Sequence, residues 1–506
     1  MYKLLNSGEM KQCDRNTIEY YGIPSAVLME RAALAVFAEV SRRIEKNAGR
    51  ILIVCGSGNN GGDGLAAARL FYLAGYDVEV WIPADKNKMT AEAKAQYETA
   101  CRYEIPETMG PQPDLAYAVV VDALFGIGLS RMIEGQLAAC IDIMNRIDAF
   151  KVAVDLASGV SADTGNVWHT AFRADLTVTF GFAKVGQFLY PGASYTGELV
   201  LADIGIDEKS LRNVEPRGAY LERDCAMRLL PERTAYSHKG SYGNVLVIAG
   251  STAMAGAAYF AAKAAYDSGV GLVRIFTARI NRDILLTKLP EALLTVYDTK
   301  EEASKELPSC MEWADAVLIG PGLSDSHAAR FLVEEVLQYP KKKIVLDADA
   351  LNILSQNKNL YRLLSESCVL TPHLGEMGRL TGQSVSDIRK DLTGSAAGFA
   401  ERHQAVCVLK DARTVIGMPD GRFVVNRTGN HGMATGGSGD ILAGCLAGFL
   451  AQGTNCEAAA ALAVYLHGMA GDFAAEETGA HSMTASDLLE KIPRAVREIF
   501  DGGKDK

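Results

Sequence analysis

Short apolar runs alternate with helical stretches along nearly the whole chain, and that alternation leaves few folds open. In the first half the runs fall at residues 51–55, 78–82, 118–121, 151–154, 176–180 and 199–204. In the second they fall at 245–249, 272–276, 316–319, 344–346, 369–370, 406–409 and 414–416. Helical patterns such as 65–74 and 91–101 lie between them. A strand without a polar face has to be covered on both sides, which predicts parallel sheets layered between helices. Residues 207–224 are polar, hold Pro216 and Gly218, and carry no strand signal. The expected organisation is therefore two α/β domains in series, 1–213 and 225–506, joined by a linker at 214–224. The halves share no motif, so no internal repeat is expected.

A chain of 506 residues with 48% hydrophobic content has ample material for two cores. Its net charge of −10 and the lack of any Lys/Arg block argue against a nucleic-acid partner. Anionic small molecules stay open, because glycine-rich loops bind phosphate with backbone groups. The ten cysteines are scattered without a Cys-x-x-Cys pair, which suits reduced, buried thiols rather than zinc or disulfides. Residues 1–16 are polar and read as no secretory signal. No apolar run is expected to reach the roughly 18 residues of a membrane span. The reading is a cytoplasmic protein with no membrane partner.

Special residues gather where strands should end. The richest stretch is Asn430-His431-Gly432-Met433-Ala434-Thr435-Gly436-Gly437-Ser438-Gly439-Asp440, followed by an apolar helical run. A glycine-rich turn at a helix start leaves backbone N–H groups unpaired, and with the helix dipole they favour an anion. Gly436, Gly437, Ser438 and Gly439 form the expected anion hole. Asp440 stands where a carboxylate can take a proton from a hydroxyl facing it. That layout moves a phosphoryl group onto an alcohol. A plain helix cap would explain the acid and one glycine, but not three glycines in four positions. No G-x-x-x-x-G-K-[ST] occurs, so the P-loop route is absent. Other pieces are spread along this half: Lys239 before the first strand, Gly320-Pro321-Gly322, Asp347-Ala348-Asp349 as a Mg²⁺ candidate, His373 and Lys410. Singly, Lys239 reads as a surface lysine, Asp349 as a cap and His373 as structural. His467, Asp472 and His481 receive no chemistry.

In the first half, Gly56-Ser57-Gly58-Asn59-Asn60-Gly61 matches the dinucleotide fingerprint G-x-G-x-x-G. The acid that should end the second strand is missing there, since Glu79 falls inside the run. Asn59, Asn60 and Asp63 place polar side chains where the fingerprint needs only backbone. A hard cation held with Asp122 and Ser158, or a phosphate loop whose Asn side chains satisfy turn carbonyls, fit the spacing equally. Asp155, in Asp155-Leu156-Ala157-Ser158-Gly159, is an acid/base candidate or the cap of a helix.

Taken in order, these motifs and Gly22 to Ser25 with Leu28-Met29-Glu30 resemble one family: two-domain NAD(P)H-hydrate repair enzymes, which join an epimerase to an ADP- or ATP-dependent dehydratase. The resemblance covers nearly the whole chain. It implies a Rossmann-like three-layer first domain and a ribokinase-like second one. It implies a hydrate site at Asn59, Asn60, Gly61, Gly62, Asp63, Gly126, Ile127, Gly128, Leu129, Ser130, Arg131, Met132 and Asp155. It implies potassium ligands Asn60, Asp122 and Ser158, with Asp155 as acid/base. In the second domain it implies hydrate contacts from Ala257, Gly322, His373 and Asp440, and nucleotide contacts from Lys410, Asp411, Ala412, Arg413, Thr414 and Gly439, with Mg²⁺ accompanying ADP or ATP. Asp411 stands where the family commonly has Gly. The substrates implied are hydrated NADH and NADPH, and a homo-oligomer is expected. Without the resemblance, the second half alone also reads as a ribokinase-class small-molecule kinase fused to a nucleotide-binding module.

Overall fold

The apolar runs form parallel strands buried on both faces, as their hydrophobicity requires. The computed structural model describes residues 1–111, 116–129 and 131–501. They divide into two compact units, one of residues 3–218 and one running from Ala219 onward with Met1 and Tyr2.

The first unit holds a seven-stranded sheet in the order Glu107–Thr108, Val78–Trp81, Arg50–Cys55, Tyr117–Ala123, Phe150–Val154, Leu176–Phe180, Glu198–Ala202. All pairs are parallel. The chain winds outward from Arg50–Cys55 in one direction, then returns to its other side with Tyr117–Ala123. The loops after these two strands part, leaving a crevice at the carboxyl edge. Apart from this sheet, Leu4 and Leu5 pair in parallel with Ala183 and Lys184. The helix Ser7–Arg15 follows, with Asn6 and Glu9 capping it reciprocally.

The second unit repeats the plan. Its parallel strands run Leu293–Tyr297, Leu272–Ala278, Asn244–Ile248, Ala316–Ile319, Lys343–Leu346, Cys368–Leu370, Val406–Leu409, and the antiparallel strands Val415–Gly417 and Phe423–Val425 extend it. Ile319, Leu346 and Leu370 lie in register. Gly320, Asp347 and Thr371 therefore leave three adjacent strands side by side. The helix Ser438–Ala451 is buried along nearly its whole length and packs on Ala255–Asp267 and Cys456–Thr478.

Four expectations change. The first helix after the glycine loop starts at Asn59 rather than residue 65. Its glycines let it: a Cβ on Gly61 would stand 2.0 Å from the Gly56 carbonyl oxygen. The segment read as a strandless linker carries the strand Gly218–Tyr220, although the division between units, after Gly218, falls inside the expected linker 214–224. Two strands were not anticipated: Glu107–Thr108, which is only two polar residues, and Leu293–Tyr297, an apolar run that sequence reasoning passed over. Finally, Cys456–Thr478 is long and apolar enough to cross a membrane by length and composition, but most of it is buried against Ser438–Ala451 and Ala485–Asp501.

Candidate active sites

In the first unit a cavity of about 1000 Å³ opens at the crevice between the parted loops. Asn59, Asn60, Asp63, Gly126, Ile127, Gly128, Leu129, Arg131 and Asp155 border it, with Asp14 and Lys184. Asp155 follows the strand Phe150–Val154 with φ of 65°, a left-handed conformation that non-glycine residues adopt at a cost. Val154 and Val178 are register partners, so Thr179 lies beside Asp155. Its Oδ1 accepts hydrogen bonds from Thr179 Oγ1 (3.1 Å), the Phe180 amide (3.2 Å) and Lys184 Nζ (2.6 Å). Lys184 is fully buried, and its ammonium also donates to Thr179 Oγ1 at 2.8 Å and the Phe180 carbonyl at 3.0 Å. Gln187 Nε2 holds the Asp155 carbonyl at 2.7 Å.

Beneath the cavity wall lies an oxygen-rich knot. Asp122 accepts from the Ser158 amide at 2.7 Å, Ser158 Oγ at 2.6 Å and the Leu124 amide at 3.2 Å. Complete burial nonetheless pushes its carboxyl up to about 6. Asn60 reaches toward the same loop, where a Cβ on Gly126 would lie 3.2 Å from Asn60 Oδ1. Its Nδ2 is buried with no hydrogen-bond partner among the described residues.

In the second unit the strand-end row meets the glycine turn. Lys410 Nζ donates to Asp347 Oδ1 at 2.9 Å, and Thr371 Oγ1 donates to the same oxygen at 2.6 Å. A Cβ on Gly439 would lie 3.3 Å from Lys410 Nζ, so the ammonium faces the turn. Gly437 caps the helix Ser438–Ala451 with φ of 96°, aiming the following amides outward. Asp440 sits in its first turn. Burial, then the Asp347 charge, push its carboxyl up to about 7, with Lys410 opposing. Asp349 Oδ2 accepts from the Ser324 amide at 2.7 Å, and Ala348 between the two acids has φ of 47°.

His373 Nδ1 accepts from the Gly375 amide at 2.9 Å, which assigns the proton to Nε2, and Nε2 lies 3.6 Å from Glu376 Oε1. Burial and the nearby Lys410 and Arg379 charges lower its proton affinity. Gly322 packs on Ala257, whose Cβ would come within 2.8 Å of a Cβ at Gly322. Ala257 and Phe260 share the helix Ala255–Asp267, and Phe260 lies against Gly437. His467, given no role from sequence, bonds the Ser438 carbonyl through Nε2 at 2.9 Å. Complete burial depresses its pKa to about 4, so it is a neutral donor steadying the turn. Asp472 accepts from the Gly429 amide at 2.9 Å and Asn430 Nδ2 at 3.0 Å, anchoring the entry to the same loop.

Comparison with known proteins supplies the rest. A family described as NAD(P)H-hydrate dehydratase matches residues 245–494, and one described as YjeF-related protein N-terminus matches residues 25–186. A protein of Moorella thermoacetica named bifunctional NAD(P)H-hydrate repair enzyme Nnr is 40% identical over 98% of this chain and 97% of its own length. The chain belongs to the bifunctional NAD(P)H-hydrate repair enzymes. The Thermofilum pendens member is 36% identical over 98% of this chain and 97% of its own. A solved ribokinase-like superfamily protein of Enterococcus faecalis is 31% identical, covering 56% of this chain and 97% of its own with a TM-score of 0.51. The ribokinase-like second unit and the Rossmann-like first unit are thus those of the family.

Within this repair-enzyme chain, the structure gathers Asp440, Gly439 and Lys410, and separately Gly322 and Ala257. Asp411, Ala412, Arg413 and Thr414 form the turn after Lys410, between Val406–Leu409 and Val415–Gly417. Gly61 and Gly62 shape the helix start against Gly56 and Met29 instead of bordering the cavity. Met132 is exposed and away from its wall, and Ser130 lies outside the described residues. Sequence reasoning passed over Lys184 and Asp14. A lysine alone in the apolar stretch 176–189 was the available signal for the first.

Proposed function

We propose that the first unit interconverts the R and S hydrates of NADH and NADPH, and that the second dehydrates the S hydrate with ADP (or ATP) as phosphoryl donor. The observation that carries the reading is Asp440: a carboxyl poised near neutrality, set between the Lys410 ammonium and an anion-binding turn. Hydroxide is a poor leaving group. Asp440 takes the hydroxyl proton as that oxygen bonds to the phosphorus and the donor's P–O bond breaks. Lys410 and the amides of residues 436–439 carry the charge of the transferring group. Phosphate then leaves with the C–O bonding pair, the neighbouring ring carbon gives up a proton to solvent, and the ring double bond re-forms. Gly322, Ala257 and His373 are the groups proposed to hold the ring and its amide, a reading supported by the close packing of Gly322 on Ala257.

Mg²⁺ enters with the nucleotide phosphates. Among the described residues no cluster of three or more His, Cys, Asp or Glu is placed to hold a metal. That fits an ion carried mainly by phosphate and water, with Asp347 or Asp349 reached through water. Potassium fits the knot in the first unit. Asp122, Ser158 and Asn60 bring hard oxygens from adjoining loops to that knot. The ion would fix the loops that carry the hydrate and offset the buried Asp122 charge. Asp155 serves the first unit as acid/base.

The test is incubation of mixed R and S hydrates with either nucleotide while following reduced nicotinamide. Full recovery is expected. Recovery of the S fraction alone would refute the role given to the first unit, and a stable phosphorylated product would refute dehydration in favour of a kinase.

A further inference from the structure

The epimerase cavity contains more carboxyl groups than its one acid/base assignment uses. Asp14, on the helix Ser7–Arg15, and Asp63, in the second turn of Asn59–Leu73, border the same cavity as Asp155 and Lys184. Lys184 spends its donors on Asp155, Thr179 and Phe180. All three donors to the Asp155 carboxylate converge on Oδ1. No described residue hydrogen-bonds or pairs with the side chain of Asp14 or Asp63. Three carboxyls therefore share the cavity with the Lys184 ammonium, which is already engaged, while Lys11, Lys88 and Arg131 also border it. Burial, then Asp155 and Asp14, raise the proton affinity of Asp63 well above that of an ordinary aspartate, and burial and Asp155 raise Asp14. Like charges confined in one pocket cannot all ionise, so the cluster keeps a proton.

We propose that Asp63 is a second catalytic residue of the first unit, the proton donor that works opposite the acceptor Asp155. The proposal rests on the reading of this unit as an epimerase. Water added to an enamine double bond leaves its hydroxyl on the carbon next to the ring nitrogen. Inversion there needs the C–O bond broken and remade on the other face. Asp63 gives its proton to that hydroxyl. The C–O bond breaks, the nitrogen lone pair forms C=N⁺, and water departs. A water then attacks the planar carbon from the opposite face, its electrons form the new C–O bond, the C=N pair returns to nitrogen, and Asp155 takes the surplus proton. One proton has left Asp63 and one has reached Asp155. The reverse inversion starts from that state, and exchange with solvent resets either. One carboxyl that gives a proton and a second that takes one are what this sequence requires.

Asp63 is faced by Asp14, Asp155, Lys184 and the buried Cys55 thiol, with Lys11, Asp85, Lys88, Arg131 and Glu134 farther round the wall. The alkaline limb of the rate should therefore report Asp63 losing its proton, and Asp14→Asn should move that limb to lower pH.

The experiment uses the full chain without nucleotide, so the S hydrate accumulates from pure R hydrate, in water enriched in ¹⁸O. Wild type should place one solvent oxygen in each inverted molecule. Asp63→Asn should slow inversion at least 100-fold and abolish the alkaline limb, while Asp63→Glu recovers at least tenfold over Asp63→Asn. Wild type that makes no S hydrate would end the epimerase reading itself. If wild type inverts, retention of the original oxygen would overturn the proposal. So would Asp63→Asn within threefold of wild type with both limbs intact, or Asp63→Glu no faster than Asp63→Asn.

Discussion

Both units bury a lysine against an aspartate that ends a parallel strand, and they use the pair differently. Lys184 meets Asp155 at 2.6 Å, and Lys410 meets Asp347 at 2.9 Å. In the first unit the paired aspartate is the proposed acid/base, held by three donors on one oxygen. In the second the paired aspartate is a neighbour, and its charge adds to burial in lifting Asp440 to about 7. The same ion pair thus fixes a reactive group in one site and tunes it from outside in the other. Both depend on a residue in left-handed backbone at the strand end, Asp155 and Ala348. Such strain persists only where the surroundings over-determine it.

The comparison is broken most directly at the two acids. Asp440→Asn should cost at least 1000-fold in kcat for the S hydrate while R–S interconversion continues, because only the second unit loses its base. Asp155→Asn should do the reverse: about 100-fold slower interconversion, read by chiral separation of the hydrates, with S-hydrate consumption intact. If either substitution disabled both activities equally, the units would not be chemically independent. Replacing potassium by a larger organic cation should slow interconversion about tenfold and leave dehydration unchanged apart from nucleotide effects.

Two smaller effects sharpen it. Lys184→Met strands a buried carboxylate without its counter-charge and should cost about 3 kcal/mol, measured by denaturant unfolding. Lys410→Met should cost less, since that lysine remains partly open to solvent. Asp440 must be ionised to accept a proton, so S-hydrate consumption should rise with pH and level off above about 7. Asp347→Asn removes the like charge and frees Lys410, both of which favour the ionised form. The rise should move down by about one pH unit. An unmoved profile would mean that another group sets it.

The sequence announced the elements whose signal is local. Two-sided apolar runs became parallel strands, and Gly436 to Asp440 became a helix start bearing an acid. Other features depend on distant chain. Lys184 sits on a two-residue strand whose partner is Leu4 and Leu5, a pairing no periodicity announces. Asp14 looks like any polar residue of an amphipathic helix until the fold turns it toward Asp63. His467 lies in a long apolar helix and acts on Ser438 only because the two helices pack. The glycines at 61 and 62 resembled a ligand loop, and their lack of side chains also permits a tight helix start that the sequence did not announce. What stayed hidden was convergence, not chemistry.

The pairing of Leu4–Leu5 with Ala183–Lys184 also sets a clock. Roughly 180 residues separate its two sides, which at typical synthesis rates is roughly 10–40 s of elongation. The first residues wait on the ribosome for a partner that does not yet exist, and the pocket around Asp155 closes only when Lys184 has been made.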